Sequence, residues 1–435
     1  MPAADAALAI MNPGCLDLRD YQLEAISETE KAVAGGQRNI LLAMATGTGK
    51  TRTCIGLLYR FCKVNRFRRI LFLVYRTALG EQAAETLKDF RLEQLKTFAE
   101  IYEVKELGDI APNRETRLHI ATIQGMIKRV LYPSDETLPS VDQYDCIIID
   151  ECHRGYSLDK EMSDTEMTFR NEQDYISQYS RILDYFDAVR IGLTATPALH
   201  TTEIFGDPVY TYSYRQAVID GWLVDHKPPV RIITALAEDG ITWKPGEVVD
   251  TFDPITGKID PLTMPDEVHV EIDEFNKRVI TESFNRVVCA ELAGRIDPDL
   301  PGKTLIFCAT DQHADMVVDL LKRAFEAHYG SVRNDAVIKI TGQADKPLQL
   351  LRLYKNEKMP SVAVTVDLLT TGIDVPAITN IVFIRRVRSR ILYEQMLGRA
   401  TRLCDAIGKE YFTNYDAGDR YASMQCYSDM KRWVM

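Results

Sequence analysis

The chain has 435 residues, 46% hydrophobic and 26% charged, which is enough for two or three packed cores and is the balance of a soluble globular protein. A formal net charge of −11 excludes a surface coated uniformly with nucleic-acid-binding charge, though not one whose charges are segregated. The longest apolar runs, ILFLV at 70–74 and CIIID at 146–150, are strand-sized, far short of the roughly 20 residues of a bilayer span, and the N-terminus lacks the basic and apolar regions of a secretory signal. No membrane segment is expected, and the expected compartment is the cytoplasm.

Along the chain, the apolar runs NILLA, RILFLV, LHIAT, CIIID and RIGLTAT alternate with helical segments such as EQAAETLKDFRLEQL. That rhythm predicts a parallel sheet with crossover helices, because parallel strands need a long connection. It restarts after residue 300 with KTLIFCAT, AVIKITG, SVAVTV and NIVFIR, so a second α/β domain follows. We expect a first domain over 1–225, a connector or insertion over 226–275 and a second domain over 276–435. The connector is rich in proline, glycine and acid with little periodicity, and from Glu238 to Glu274 its acids face only Lys244 and Lys258. Basic charge gathers instead in RFCKVNRFRR at 60–69 and RRVRSRILYEQMLGRATR at 385–402, where a nucleic-acid backbone could be held locally. The nine cysteines are scattered singly, with no C-x-x-C pair, which argues against a disulfide scaffold or structural zinc.

The first motif with chemistry in it is MATGTGKT at 44–51, between an apolar run and RTCIGLLYRF. A phosphate loop reads G-x-x-x-x-G-K-[ST], and Met44 stands where its first glycine belongs. The phosphates still find backbone N–H groups at Thr46, Gly47, Thr48 and Gly49, a cation in Lys50 and a metal-side hydroxyl in Thr51. CIIIDECHRG at 146–155 is an apolar strand ending in two carboxylates. Phosphoryl transfer asks for two such groups, Asp150 to bind Mg²⁺ and Glu151 to orient and deprotonate the attacking water. LTATP at 193–197 is weaker, a strand-to-loop transition of short polar residues. TTGIDVP at 370–376 and YEQMLGRATRLC at 393–404 follow in the second domain. The spacing of Arg399 and Arg402 predicts two arginines on one helix face, able to reach a shared anion.

In order, LRDYQLEAI, MATGTGKT, LFLVYRTALGEQA, IATIQGM, DECH, LTATP, LIFCAT, TTGIDVP and QMLGRATR resemble the motifs of superfamily 2 helicases and translocases over nearly the whole chain. The resemblance implies two RecA-like domains with parallel sheets flanked by helices and ATP in the cleft between them. It implies that Gln22 reads adenine, that Gly372 and Asp374 line the nucleotide site, that Arg399 and Arg402 act on the γ-phosphate, and that His153, Thr194, Thr196 and Gln395 couple nucleotide state to nucleic-acid grip. DECHRGYSLDKEM, the stretch from LTATP to VDHKPP, ITESFNRVV and QMLGRATRLC are more closely similar to the motor of the R (HsdR-type) subunit of type I restriction enzymes. Cys152 stands where that family has alanine, and Tyr75 where an aspartate is usual.

By that resemblance the chain is an ATP-dependent double-stranded DNA translocase core using ATP and Mg²⁺, with the methylase (M) and specificity (S) subunits as partners. LRDYQ begins at residue 18 and QMLGRATRLC ends at 404, too little chain on either side for a nuclease domain or a methylase-docking region, so both are expected elsewhere in the full protein. Two other readings remain open on the residues: a DNA or RNA helicase outside restriction systems, and a nucleotide-gated DNA clamp without turnover. Glu151 and Arg402 speak against the clamp, which needs neither a water-orienting carboxylate nor an arginine finger.

Overall fold

The computed structural model describes residues 2–10, 18–74, 104–105, 115–132, 138–152, 179–197, 199–232, 241–243, 248–252, 259–263, 268–270, 282–342, 344–366, 375–385, 387 and 390–417. The chain divides into two compact units, Met1–Ala217 and Val218–Met435. Each is built on a wholly parallel sheet, and each matches the α/β architecture expected from the strand rhythm.

In the first unit the strands are β1 (Asn39–Met44), β2 (Ile70–Val74), β3 (Val104–Lys105), β4 (Leu118–Thr122), β5 (Cys146–Ile149), β6 (Val189–Thr194) and β7 (Tyr210–Tyr212). Their order across the sheet is β3-β4-β2-β5-β6-β1-β7, with every pairing parallel. All residues of β2 and β5 are buried, which is why they read as continuous apolar runs rather than alternating ones. Three helices prepare the site: α1 (Pro2–Ile10), α2 (Asp20–Ala34) and α3 (Lys50–Lys63).

Much of the basic run at 60–69 is engaged inside this unit. Arg60, on the buried side of α3, forms a two-pronged ion pair with Glu30 of α2 (2.5 and 2.8 Å) and donates to the Leu8 carbonyl of α1 at 2.7 Å. Arg66 bonds Asp5 of α1 at 2.5 Å. Arg68 and Arg69 donate to the backbone carbonyls of Asp142, Thr116 and Gln143. These cations clamp helices and loops together; Arg60 and Arg66 are buried and leave the expected nucleic-acid patch, whereas Lys63 and Arg68 stay exposed. Burial is also the first cause that raises the Glu30 carboxyl above its usual range, with Arg60 opposing it.

Gly192 of β6 is there for lack of room. A methyl at that position would come within 2.8 Å of Cys152 Sγ and 3.1 Å of the Phe205 ring. Gly192→Ala should therefore lower stability by about 1–3 kcal/mol through overpacking. Adding Cys152→Ala should return part of the loss, because it removes the nearer clash. Thermal melts of the two single variants and the double variant check this, and strictly additive losses would contradict it.

The second unit contains β8 (Asp225–His226), β9 (Val230–Arg231), β14 (Lys303–Phe307), β15 (Val337–Lys339), β16 (Val362–Thr365), β17 (Ile378–Phe383) and β18 (Tyr411–Asp416) in one parallel sheet. The order is β15-β16-β14-β17-β18-β8, with β9 also on β18. The helices Glu282–Ala293 and Asp311–Tyr329 supply much of one apolar core, and Arg390–Leu397 contributes to another. Residues 225–231 thus belong to the second sheet, and the units divide ahead of the expected 225/226 boundary.

Between β9 and the Glu282–Ala293 helix the sequence predicts little regular structure. Among the described residues four short strands occur there, β10 (Ile241–Trp243) paired antiparallel with β13 (Val268–Val270), and β11 (Val248–Phe252) with β12 (Ile259–Thr263). Apolar residues such as Val248, Val249, Ile259 and Leu262 are dispersed among prolines and acids, which hid the pairing from a periodicity count.

Candidate nucleotide site

β1 delivers the loop, and its end explains the missing glycine. Met44 is still in the strand, fully buried and paired with Tyr212 of β7, so it needs none of a glycine's freedom. The turn comes after it, where Gly47 (φ +92°) and Gly49 (φ +81°) adopt the left-handed conformation that a side chain disfavours. At Gly49 an added Cβ would also lie 2.6 Å from Gln22 Nε2.

Gly49 caps α3 without any side-chain hydrogen bond. The first turn of α3 thus presents backbone N–H groups and the positive end of the helix dipole toward an anion. Thr46 and Gly47 form the bend of the loop. Thr48 is turned inward, its N–H and its hydroxyl both directed to the Ala45 carbonyl at 3.3 and 2.7 Å, so its amide is occupied within the loop. Thr51 is half-buried in the first turn.

Lys50 is 8% exposed. Its ammonium donates to the Met44 carbonyl at 3.4 Å and lies 3.6 Å from Glu151 Oε1. Those two residues are 101 positions apart in sequence. The order β5-β6-β1 joins them, because it sets the carboxyl ends of the three strands side by side, where parallel α/β sheets bind ligands.

Asp150 follows the last residue of β5, and its Oδ1 accepts the Glu151 N–H at 2.9 Å. Glu151 has φ +50°, an uncommon conformation for a side-chain-bearing residue, and it aims the carboxylate at Lys50. The next N–H, of Cys152, donates to Leu193 of β6 at 2.9 Å, locking the turn to the neighbouring strand. Cys152 is fully buried. Burial first, then the adjoining Glu151 and Asp150 charges, pushes its thiol well above the ordinary range, so it is packing and not a ligand. From β6, Thr194 exchanges hydrogen bonds of 3.1 Å with the N–H and carbonyl of Thr196.

Gln22 is tied to the loop. Its amide nitrogen donates to the Thr48 and Gly49 carbonyls (3.1 and 3.2 Å), while its oxygen accepts the Arg19 N–H at 3.0 Å. Sequence reasoning missed two neighbours that complete this clasp. The Tyr21 hydroxyl donates to the Thr48 carbonyl at 2.8 Å, and its ring stacks on Tyr212 with centroids 4.0 Å apart. The Tyr212 carbonyl in turn accepts the Ala45 N–H at 2.9 Å. Tyr21 stood beside Gln22 in LRDYQ and could have been suspected. Tyr212 had no local signal.

In the second unit the arginine motif departs from expectation. The helix Arg390–Leu397 ends before Arg399, which lies in a turn, and Arg402 forms an antiparallel bridge with Leu223. Gly398 follows the last helical residue and Thr401 turns its hydroxyl back to the Gly398 carbonyl at 3.0 Å, so the two arginines do not share a helix face. Gln395 is buried on that helix at 1% exposure. Arg385 is buried too, donating to the Val366 carbonyl at 3.3 Å, which removes it from the expected exposed basic stretch. His153, Gly372 and Asp374, and the position of Tyr75, lie outside the described residues.

The donors suit a nucleoside triphosphate with a divalent cation: a left-handed glycine turn, an uncapped helix start, a buried lysine, and the Thr51 hydroxyl and Asp150 carboxylate as hard oxygen ligands. Among the described residues no group of three or more His, Cys, Asp or Glu side chains could hold a metal by itself, and no helix is long and apolar enough to cross a membrane.

Comparison with known proteins points the same way. The family model for the type III restriction enzyme res subunit matches residues 15–199, and that for the helicase conserved C-terminal domain matches 285–404. The chain is 50% identical over 430 residues to the type I restriction enzyme EcoKI endonuclease subunit of Escherichia coli (strain K12), covering 98% of this chain and 36% of that protein. It is 31% identical over 415 residues to the type I restriction enzyme EcoAI endonuclease subunit of Escherichia coli, covering 92% of this chain and 46% of that protein. The chain therefore spans less than half the length of either relative. Among solved structures, a fragment assigned to the HsdR subunit of a type I restriction enzyme from Vibrio vulnificus YJ016 matches with TM-score 0.64 at 25% identity, over 94% of this chain and 65% of that one.

Proposed function

We propose that the chain is a superfamily 2 helicase motor, the motor region of a type I restriction enzyme R subunit, and that it hydrolyses ATP to translocate double-stranded DNA. The observation that supports this best is the meeting of Lys50 with Glu151, beside Asp150, at the ends of β1 and β5. A binding module would need the loop and the lysine. A water-orienting carboxylate held in a left-handed backbone conformation beside them is the mark of turnover.

In this reading the start of α3 and the Lys50 ammonium hold the β- and γ-phosphates. Glu151 orients the attacking water and takes its proton as the bond to the γ-phosphorus forms and the bond from that phosphorus to the β–γ bridging oxygen breaks, with ADP leaving. Mg²⁺, held by Thr51 and Asp150, supplies charge neutralisation across the phosphates when bound. Gln22, Gly372 and Asp374 contribute to nucleotide recognition, and Arg399 and Arg402 stabilise the charge that develops on the transferring phosphoryl group. His153, Thr194, Thr196 and Gln395 relay nucleotide state to DNA grip. The full protein would act in the cytoplasm with methylase and specificity subunits, and DNA cleavage would come from a domain outside these residues.

ATP turnover measured with linear duplex, single-stranded DNA and RNA tests the proposal. Duplex should stimulate most, and its apparent affinity should fall steeply with salt, by about 10³-fold or more between 50 and 200 mM if six or more phosphates are contacted. Equal stimulation by RNA would favour a helicase outside restriction systems, and a flat salt response would remove backbone tracking.

A further inference from the structure

The stretch between LTATP and VDHKPP sets this chain apart from generic motors, and its last residues have no part in the chemistry above. They open the second unit as a strap. Leu223 forms the antiparallel bridge to Arg402, and the Val224 N–H donates to the Thr401 carbonyl at 2.8 Å. Directly after Val224, β8 runs parallel to β18, and the Lys227 N–H donates to the Phe412 carbonyl at 3.0 Å. The strap is thus fastened to the arginine turn at one end and to the central sheet at the other.

Its side chains reinforce that attachment. Leu223 and Val224 are 3% and 4% exposed. Val224 shares a core with Leu392, Tyr393, Met396, Leu397 and Ala400, which belong to the helix leading into the turn and to the turn itself. Arg402 lies beyond the end of that helix and ahead of β18, in a segment that continues into a short loop closed by the Cys404–Lys409 bridge. Neither the helix nor β18 contains it. The strap brings the rigidity of the sheet to this segment.

We propose that Leu223 and Val224 are positioning residues for Arg402, holding the Thr401–Arg402 backbone where the guanidinium can serve phosphoryl transfer. The inference rests on the reading of Arg402 as a turnover residue. Its physical basis is the steep dependence of rate on placement, since a displacement of about 1 Å can cost about 10²-fold. The strap belongs to the second unit, and the groups of the phosphate loop all lie in the first. Loosening it should lower kcat and leave the KM for ATP in place.

Val224→Pro deletes the N–H that bonds Thr401, and an ester in place of the Leu223–Val224 amide deletes it with the side chain kept. Both should lower kcat of duplex-stimulated ATP turnover by about 10- to 100-fold with KM for ATP held within about twofold. Val224→Ile keeps the N–H and should restore turnover. Added to Arg402→Ala, the ester should cost nothing further, because there is no longer a guanidinium to place. An ester variant with normal kcat, or one that multiplies the loss of Arg402→Ala, overturns the proposal even if Val224→Pro fails to fold. Normal turnover in Arg402→Ala would instead remove the arginine reading on which the strap depends.

Discussion

Lys50→Ala should fold and should lose ATP turnover by a factor on the order of 10²–10³ or more, the range seen when one preorganised charge on a transition state is removed. Lys50 is buried, lies in the first turn of α3 and has Met44 and Glu151 as its close polar contacts. Truncation deletes the cation that opposes the β- and γ-phosphates and that lies 3.6 Å from the Glu151 carboxylate. Alanine suits the helix, and neither contact spans a core, so the melting temperature should move little compared with the activity. Steady-state turnover and a thermal melt on the same preparation check both halves. Near-normal turnover would mean that this loop does not hold phosphates.

Glu151→Gln separates binding from chemistry. The amide is nearly isosteric with the carboxylate but cannot accept a proton from water, so turnover should fall by about 10²–10⁴-fold, the usual contribution of a general base. Asp150 and the loop are untouched, so nucleotide and Mg²⁺ should still bind, and the variant should accumulate as a nucleotide-loaded complex on duplex DNA. A fluorescent nucleotide titration beside the turnover assay reads the two effects separately. Loss of nucleotide binding along with turnover would exchange the roles assigned to Asp150 and Glu151.

Most strands of the two sheets and the residues of the phosphate site were legible because buried parallel strands are unbroken apolar runs and because loop and carboxylates follow strand ends directly, whereas β3, β7, β8, β9 and β18 carry no such run. Even Met44, which breaks the phosphate-loop pattern, breaks it at a residue that is still strand. What escaped was decided by distant partners. The arginines at 60–69 looked like a surface for DNA until Glu30 and Asp5, far away in sequence, neutralised two of them. Arg399 and Arg402 looked helical because spacing cannot say where a helix stops, and it stops at Leu397. Tyr212 enters the site only because β7 pairs with β1 across an interval of more than 160 residues.

The same pairing governs how the protein comes into being. β1, apolar throughout except at Asn39, has β6 on one side and β7 on the other, and both are made long after it. At about 5–20 residues per second a ribosome takes roughly 10–30 s to go from Met44 to Tyr212. For most of that interval, until β6 is made, the strand that will carry the phosphate loop has no hydrogen-bonding neighbour, and its unpaired edges are open to other nascent chains. β2 and β4, by contrast, pair directly with each other within a shorter stretch of chain. The first unit can therefore begin its sheet early on the β2 side, but it becomes able to grip a nucleotide only when its last strand arrives.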